Sequence, residues 1–467
     1  MSAFSSPLGG DGMDHAAVLV IRDAVLAAYD KARTPEMSSA DLRQLTQALI
    51  QDELIAESRR RTDHGVRALT AEEEAALGTA VDNQINGVGR LQALLDIPGV
   101  EDIYIRGNKP VLLRMSDRRI LVADPIADTP EELFAQVQFL AAYHGSRERA
   151  FSPANPFLDM ALPDGSRLAA ICDNSPWPIV TIRRHSFVDI TLDDLVTMGS
   201  ITVSMRRFLG ACVRAQRTIV VSGMPAAGKT VMLRALAREL DDYVRFATLE
   251  TEFELGLHTI PDRFPLLVPL ECRPGSVETD AQGRPIGEIT LANLLPPTLR
   301  HSVTLAVYGE VRGPEAFAFV KGAGAGLPGS MCTLHANSAE DALDRLVTMA
   351  MEGAPGMSPE YLTRLAAQGV DYVVHMEHLD HTDIGGSSAR FCAQISEVTG
   401  FGDSKKVSTN PIYAPAATAD ELTGGDPRGV RGSDVQLKKP FTQIGFDLRS
   451  INAGDTWPDD LQLGELG

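Results

Sequence analysis

Eight residues, Gly223-Met-Pro-Ala-Ala-Gly228-Lys229-Thr230, meet the spacing G-x-x-x-x-G-K-[ST], and no other feature narrows the possible folds as much. The apolar run RTIVVS precedes them and the helix-like run VMLRALAREL follows, so the sequence predicts a strand, a tight loop and a helix. In that setting glycine lets the backbone wrap closely around phosphate, and amides at the start of the helix face the anion. The expected phosphate cradle is Gly223, Ala226, Ala227, Gly228, Lys229, Thr230 and Val231, with Lys229 reaching the β and γ phosphates and Thr230 able to ligate magnesium.

The rest of the chain reads as a setting for that loop. The runs AAVLVIRDAVLAAYDKA, SADLRQLTQALIQDELIAES and TAEEEAALGTAVDNQI carry apolar residues at three- and four-residue spacing and predict helices. Thr70-x-x-Glu73 makes a capping box, whereas Ser39 is followed three positions on by Leu42 and makes none. Short β-branched runs (EDIYIRG, KPVLLRM, RRILVAD, WPIVTIRRH) around one helical stretch, EELFAQVQFLAAYHG, then predict a small α+β domain. From Ile190, helical segments alternate with fully apolar strands such as YVRFATLE and VTLAVYGE, the pattern of a buried, largely parallel sheet.

The expected fold is therefore α/β, a nucleotide-binding core with a smaller α+β domain and a helical extension before it. Its expected divisions are residues 1–97 (helical), 98–188 (α+β), 189–401 (nucleotide core) and 402–467 (flexible linker and tail), the last because Gly, Pro, Ser, Thr and Asp dominate there without a period. KPFTQIGFDLRSI, within the tail, is expected to be one strand or a docking segment, and the acidic last residues to be mobile.

A formal net charge of -19 repels phosphate backbones and argues against broad nucleic-acid binding. Five widely spaced cysteines without a CxxC pair suggest neither disulfides nor zinc. No run approaches the roughly 18 apolar residues of a membrane span, and the first residues lack the regions of a signal peptide. A cytoplasmic protein is expected.

Hydrolysis of a phosphoanhydride requires a group that orients water. Glu310 closes the apolar run VTLAVYGE, where a sheet presents side chains to ligand, and is the candidate. Glu250, Glu252 and Glu254 follow another apolar strand, where they could hold magnesium or its water shell or simply form an exposed acidic strand end. His335 follows a Gly-rich turn and is placed either to sense the γ-phosphate or as a core histidine.

Together these motifs resemble the secretion ATPase superfamily of type II and type IV systems, nearest the tight-adherence (Tad) pilus ATPases. The resemblance runs from about Gly99 to Gly400 through GVEDIYIRG, PFLDMALPDGSRLAAI, TIRRHS, the phosphate loop, TLETEFEL, LECRPGS, LRHSVTLAVYGEVRGPEA and GSMCTLHANS. It implies a RecA-like core, a homo-hexameric ring, ATP with Mg2+, and docking on an integral inner-membrane pilus or secretion protein. Residue by residue it implies that Glu310 is catalytic, that Glu250 and Glu254 belong to an acidic box holding the metal, and that His335 belongs to a histidine box. Arg183 and Arg184 resemble arginines that act on phosphate, while Arg273, Arg300 and Arg312 fall in matched motifs and equally suit structural ion pairs. Thr251 stands where the family has Asp, and Val231 and Cys332 where it has Thr. Alternatives are a conjugation or type IV secretion ATPase, a nucleotide-binding scaffold with weak hydrolysis, and a DNA-dependent motor, which the acidic balance disfavours.

Overall fold

The three- and four-residue apolar spacing near the start makes three helices, His15–Ala32, Ser39–Asp63 and Ala71–Ile85. The computed structural model in which they are seen describes residues 15–34, 37–116, 119–143, 151–184, 188–273, 275, 278–281, 283, 285–381, 388–402, 405–416, 426–451 and 457. The acidic C-terminal residues 458–467 lie outside these. The helices share a core of Val18, Ile21, Val25, Ile50, Leu54, Leu77, Val81 and Ile85. Thr70 and Glu73 form the capping box read from the sequence. The second helix has one too, a correction to the expectation: Ser38, rather than Ser39, is the cap, and Asp41 closes the box in place of Glu or Gln.

The chain divides into two units, Met1–Ser186 and Phe187–Gly467. Besides the three helices, the first holds an antiparallel sheet of β1 (Val100–Arg106), β2 (Val111–Met115), β3 (Ile120–Ala123), β4 (Phe157–Ala161), β5 (Arg167–Ile171) and β6 (Ile179–Arg183), in the order β3-β2-β1-β6-β5-β4. Alternation along β2 and β5 sends every second side chain inward. The core so formed includes Leu133, Val137 and Leu140 of the helix Pro130–Tyr143.

The second unit is built on a nine-stranded sheet: β7 (Ile219–Gly223), β8 (Phe246–Glu250), β9 (Val268–Glu271), β10 (Leu305–Tyr308), β11 (Met331–His335), β12 (Tyr372–Asp380), β13 (Ser388–Phe401), β14 (Val407–Pro415) and β15 (Gly429–Arg431). Their order is β15-β14-β13-β12-β7-β11-β10-β8-β9. From β9 to β12 neighbours run parallel, and from β12 to β15 antiparallel. Strands β7, β8 and β10 are buried at every residue, as expected where helices cover both faces. This is a mixed α/β fold, with a RecA-like core in the second unit and a smaller N-terminal domain in the first.

The stretch expected to be linker departs from that expectation. Residues 407–415 form β14, with Ile412 and Tyr413 fully buried. Its Ser, Thr, Asn and Pro content hides the strand, which pairs antiparallel with the preceding β13 across a short turn. The carboxylate of Glu397, itself buried, accepts hydrogen bonds from Asn410 Nδ2 (3.1 Å), Gln436 N (2.8 Å) and Leu437 N (2.8 Å) and fixes the chain that follows. KPFTQIGFDLRSI is not a strand: Lys439–Gln443 is a short helix whose Phe441 stacks on Phe208 at 5.7 Å and meets Tyr372 at 6.4 Å. Phe441→Ala should cost about 3–5 kcal/mol, the usual range for emptying a buried aromatic site. Urea unfolding of the second unit measures it, and a loss under about 1 kcal/mol would show that the tail is dispensable to the core.

Candidate active site

Parallel pairing brings three sequence-distant residues to one end of the sheet. His335, the last residue of β11, stands opposite Gly223, the last of β7, and Tyr308 at the end of β10 stands opposite Cys332. Lys229 opens the helix Lys229–Arg238 just past β7, and Glu310 lies two residues beyond β10. Side chains at the carboxyl ends of such strands face whatever binds there.

The loop between β7 and the helix has the backbone its sequence demands. Gly223 (φ 148°) and Gly228 (φ 90°) adopt positive φ, and Ala226 (φ 63°) does so without the freedom of glycine. A Cβ on Gly223 would collide with the carbonyl of Met376 on β12. Ala227 and Lys229 are buried, Gly228, Thr230 and Val231 half-buried, and Ala226 exposed.

A line of charged and polar groups crosses the strand ends. Lys229 Nζ donates to Met224 O at 3.0 Å and stands 3.2 Å from His335 Nδ1. His335 Nε2 stands 2.9 Å from Glu310 Oε1, and Arg312 Nη2 donates to Glu310 Oε2 at 2.5 Å. With the Lys229 ammonium facing Nδ1, the ring proton belongs on Nε2, toward the carboxylate. Burial lowers the imidazole's pKa and Lys229 lowers it further, so the ring is neutral at pH 7. Burial also lowers the Lys229 ammonium to about 8, against the pull of Glu310. The arrangement holds a carboxylate, a neutral imidazole and a cation in sequence beside a loop shaped for phosphate.

A family model described as "Type II/IV secretion system protein" matches residues 117–375, more than half the chain. The chain belongs to the type II/IV secretion system protein family. As a member it is a P-loop secretion ATPase, and nucleotide binding follows from membership. It is similar to the type IV secretion system protein VirB11 of Brucella suis biovar 1, 30% identical over 266 residues that cover 51% of this chain and 71% of that protein. It is likewise similar to the type IV secretion system protein PtlH of Bordetella pertussis, 29% identical over 255 residues covering 49% and 72%. Among solved structures, the VirB11 ATPase of Brucella suis in complex with sulphate is 26% identical, covering 67% of this chain and 97% of that one, with a TM-score of 0.35.

The remaining candidates of this secretion ATPase fall into different places. Glu250 ends β8 almost wholly buried; its Oε2 accepts the amides of Glu254 (2.8 Å) and Leu255 (2.7 Å), and burial pushes its carboxyl up to about 7. That carboxylate is turned to the loop after β8, which Arg234 also ties down through the carbonyls of Glu254 and Leu255. Glu254 and Glu252 lie near enough to Arg312 to favour its charge, and Glu254 acts likewise on Lys229. Arg273 Nε donates to Gly287 O, and Arg300 sits in the turn Leu299–His301. In the first unit Arg183 Nε donates to the fully buried Asp102 at 2.8 Å, alongside Arg114, and Arg184 Nη1 donates to Ile97 O at 3.3 Å.

One residue at this end of the sheet has no motif to announce it. Arg390 of β13 donates from Nε to Ala226 O at 2.8 Å and so touches the crest of the phosphate loop.

Proposed function

We propose that this chain is a hexameric, ATP-hydrolysing motor that powers assembly of a pilus of the tight-adherence type. The observation that carries the reading is the continuous line from Lys229 through His335 and Glu310 to Arg312 across the ends of β7, β11 and β10. In this proposal ATP enters with its phosphates on the loop, and Lys229 exchanges Met224 O for phosphate oxygens. Glu310, held from one side by His335 and from the other by Arg312, orients the attacking water. His335 reports the γ-phosphate to Glu310, because its two ring nitrogens face Lys229 and the carboxylate.

Thr230, with its hydroxyl at the start of the phosphate-loop helix, offers the hard oxygen a magnesium ion needs, and Glu254 is the member of the acidic box whose charge Lys229 feels. Magnesium bound there would neutralise charge on the phosphates. Glu250, assigned to the metal from the family pattern, serves in this proposal as a brace for the loop that carries Glu254. Arg183 and Arg184 are proposed to stabilise transferring phosphate, a role that requires Arg183 to leave Asp102.

No described helix is long and apolar enough to cross a membrane, so the motor is proposed to act at the cytoplasmic membrane by docking on an integral partner. Mass measurement in solution with a slowly hydrolysed ATP analogue tests the ring: a six-subunit species is expected, and a monomer saturated with nucleotide would refute it. The similarity to VirB11 and PtlH favours a second reading, a motor for type IV protein export. The three N-terminal helices with their own core, which lie before the matched residues, favour the pilus. Loss of surface filaments without loss of exported protein, on deletion of the gene, separates the two.

A further inference from the structure

The hairpin of β12 and β13 overhangs the phosphate loop. Pairing between β7 and β12 ends at Gly223 opposite Met376, yet β12 continues to Asp380 and remains paired with β13 as far as Ser388. This overhang stands on the side of β7 opposite β11 and β10, away from His335 and Glu310. Arg390 lies on it, opposite His378. Its Nε is occupied by Ala226 O, and its Cδ passes 3.8 Å from where a Cβ on Gly228 would be, so the stem lies across the crest of the loop. The residue is exposed, and among the described residues no carboxylate lies within ion-pair distance of it. Bonding Nε leaves the two Nη groups of the planar fork for a second acceptor.

We propose that Arg390 is a nucleotide-contacting residue that binds the nucleoside end of ATP and ADP, its Nη groups donating to the α-phosphate. This rests on the phosphate-loop reading, in which the γ-phosphate lies by Glu310 and the chain of phosphates runs back toward β12. A guanidinium on that side meets the phosphate ester next to the ribose and reaches no further than that.

The test compares ADP with inorganic phosphate, which can fill the cradle of the loop and carries neither an α-phosphate nor a nucleoside. Arg390→Ala in the full chain is expected to weaken ADP binding about tenfold, the loss of one charge-assisted contact, and to change inorganic phosphate binding less than about twofold. Its KM for ATP should rise. Arg390→Lys, which keeps the charge and loses the fork, should recover part of the ADP affinity. Equal losses for ADP and inorganic phosphate would show that Arg390 only props the loop, and no loss for either would remove it from the site. Failure of the unaltered protein to bind either ligand would instead overturn the phosphate-loop reading itself. A thermal midpoint unchanged between Arg390→Ala and the parent excludes misfolding as the source of any loss.

Discussion

Glu310→Gln is expected to lower the maximal rate of ATP hydrolysis by about 10²–10⁴-fold, the usual contribution of a positioned general base, while ADP affinity stays within about threefold. The amide keeps the size of the carboxylate and one oxygen that accepts from Arg312, while its NH2 replaces the oxygen that faces His335 Nε2. What it loses is the negative charge and the capacity to take a proton from water. Lys229 and the loop amides do not depend on Glu310 for contact with phosphate. Single-turnover hydrolysis beside equilibrium ADP binding separates the effects. A variant that loses binding as severely as turnover would make Glu310 a structural anchor for Arg312 and His335.

Lys229→Ala is expected to weaken ADP and ATP binding by about 30- to 1000-fold, the cost of truncating one partner of a desolvated charge pair, and to abolish turnover at ordinary nucleotide concentrations. Stability should not fall with it. In the free protein Lys229 has a carbonyl and an imidazole for company, and its burial opposes its charge, so removal relieves that opposition. The same burial gives the binding a pH dependence with a definite sign. Phosphate requires the ammonium form, and the ammonium is lost from the free protein as pH rises through about 8. Nucleotide binding should therefore take up a proton near pH 8, and ADP affinity should decline above it, by at most about tenfold per pH unit. His335 does not blur the trend, since its own pKa lies below its ordinary value. Titration calorimetry in two buffers of different ionisation heat counts the proton. Lys229→Ala should erase both the uptake and the slope, and an unaltered protein whose affinity is flat from pH 7 to 9 would contradict the account.

The phosphate-loop end of the sheet was legible because its information is local. A glycine-rich loop, its strand and its helix lie within about twenty consecutive residues, and Glu310 and His335 each close an apolar run, so one rule about strand ends places them all. Other features depend on partners far away in sequence. Glu250 closes an apolar run in the same way, yet its carboxylate turns to the amides of Glu254 and Leu255, which spacing does not reveal. Arg183 reads as one of two arginines in TIRRHS, and only the pairing of β1 with β6 sets it against Asp102. Arg390 belongs to no motif and meets Ala226 because β12 lies between β13 and β7. The tail was hidden in part for the same reason, since Phe441 packs on the remote Phe208 and Tyr372, and in part because β14, paired with its immediate predecessor β13, carries Ser, Thr, Asn and Pro in place of an apolar alternation.

The central claim is that the line from Lys229 to Arg312 hydrolyses ATP within a ring of identical subunits, and it is tested most directly by the magnesium-dependent ATPase rate per subunit followed across protein concentration, with mass recorded on the same samples. The account predicts turnover that rises with the six-subunit species and is about 10²–10⁴-fold lower in Glu310→Gln at every concentration. Nucleotide binding without turnover in any assembled form would contradict it and leave the protein a nucleotide-dependent scaffold.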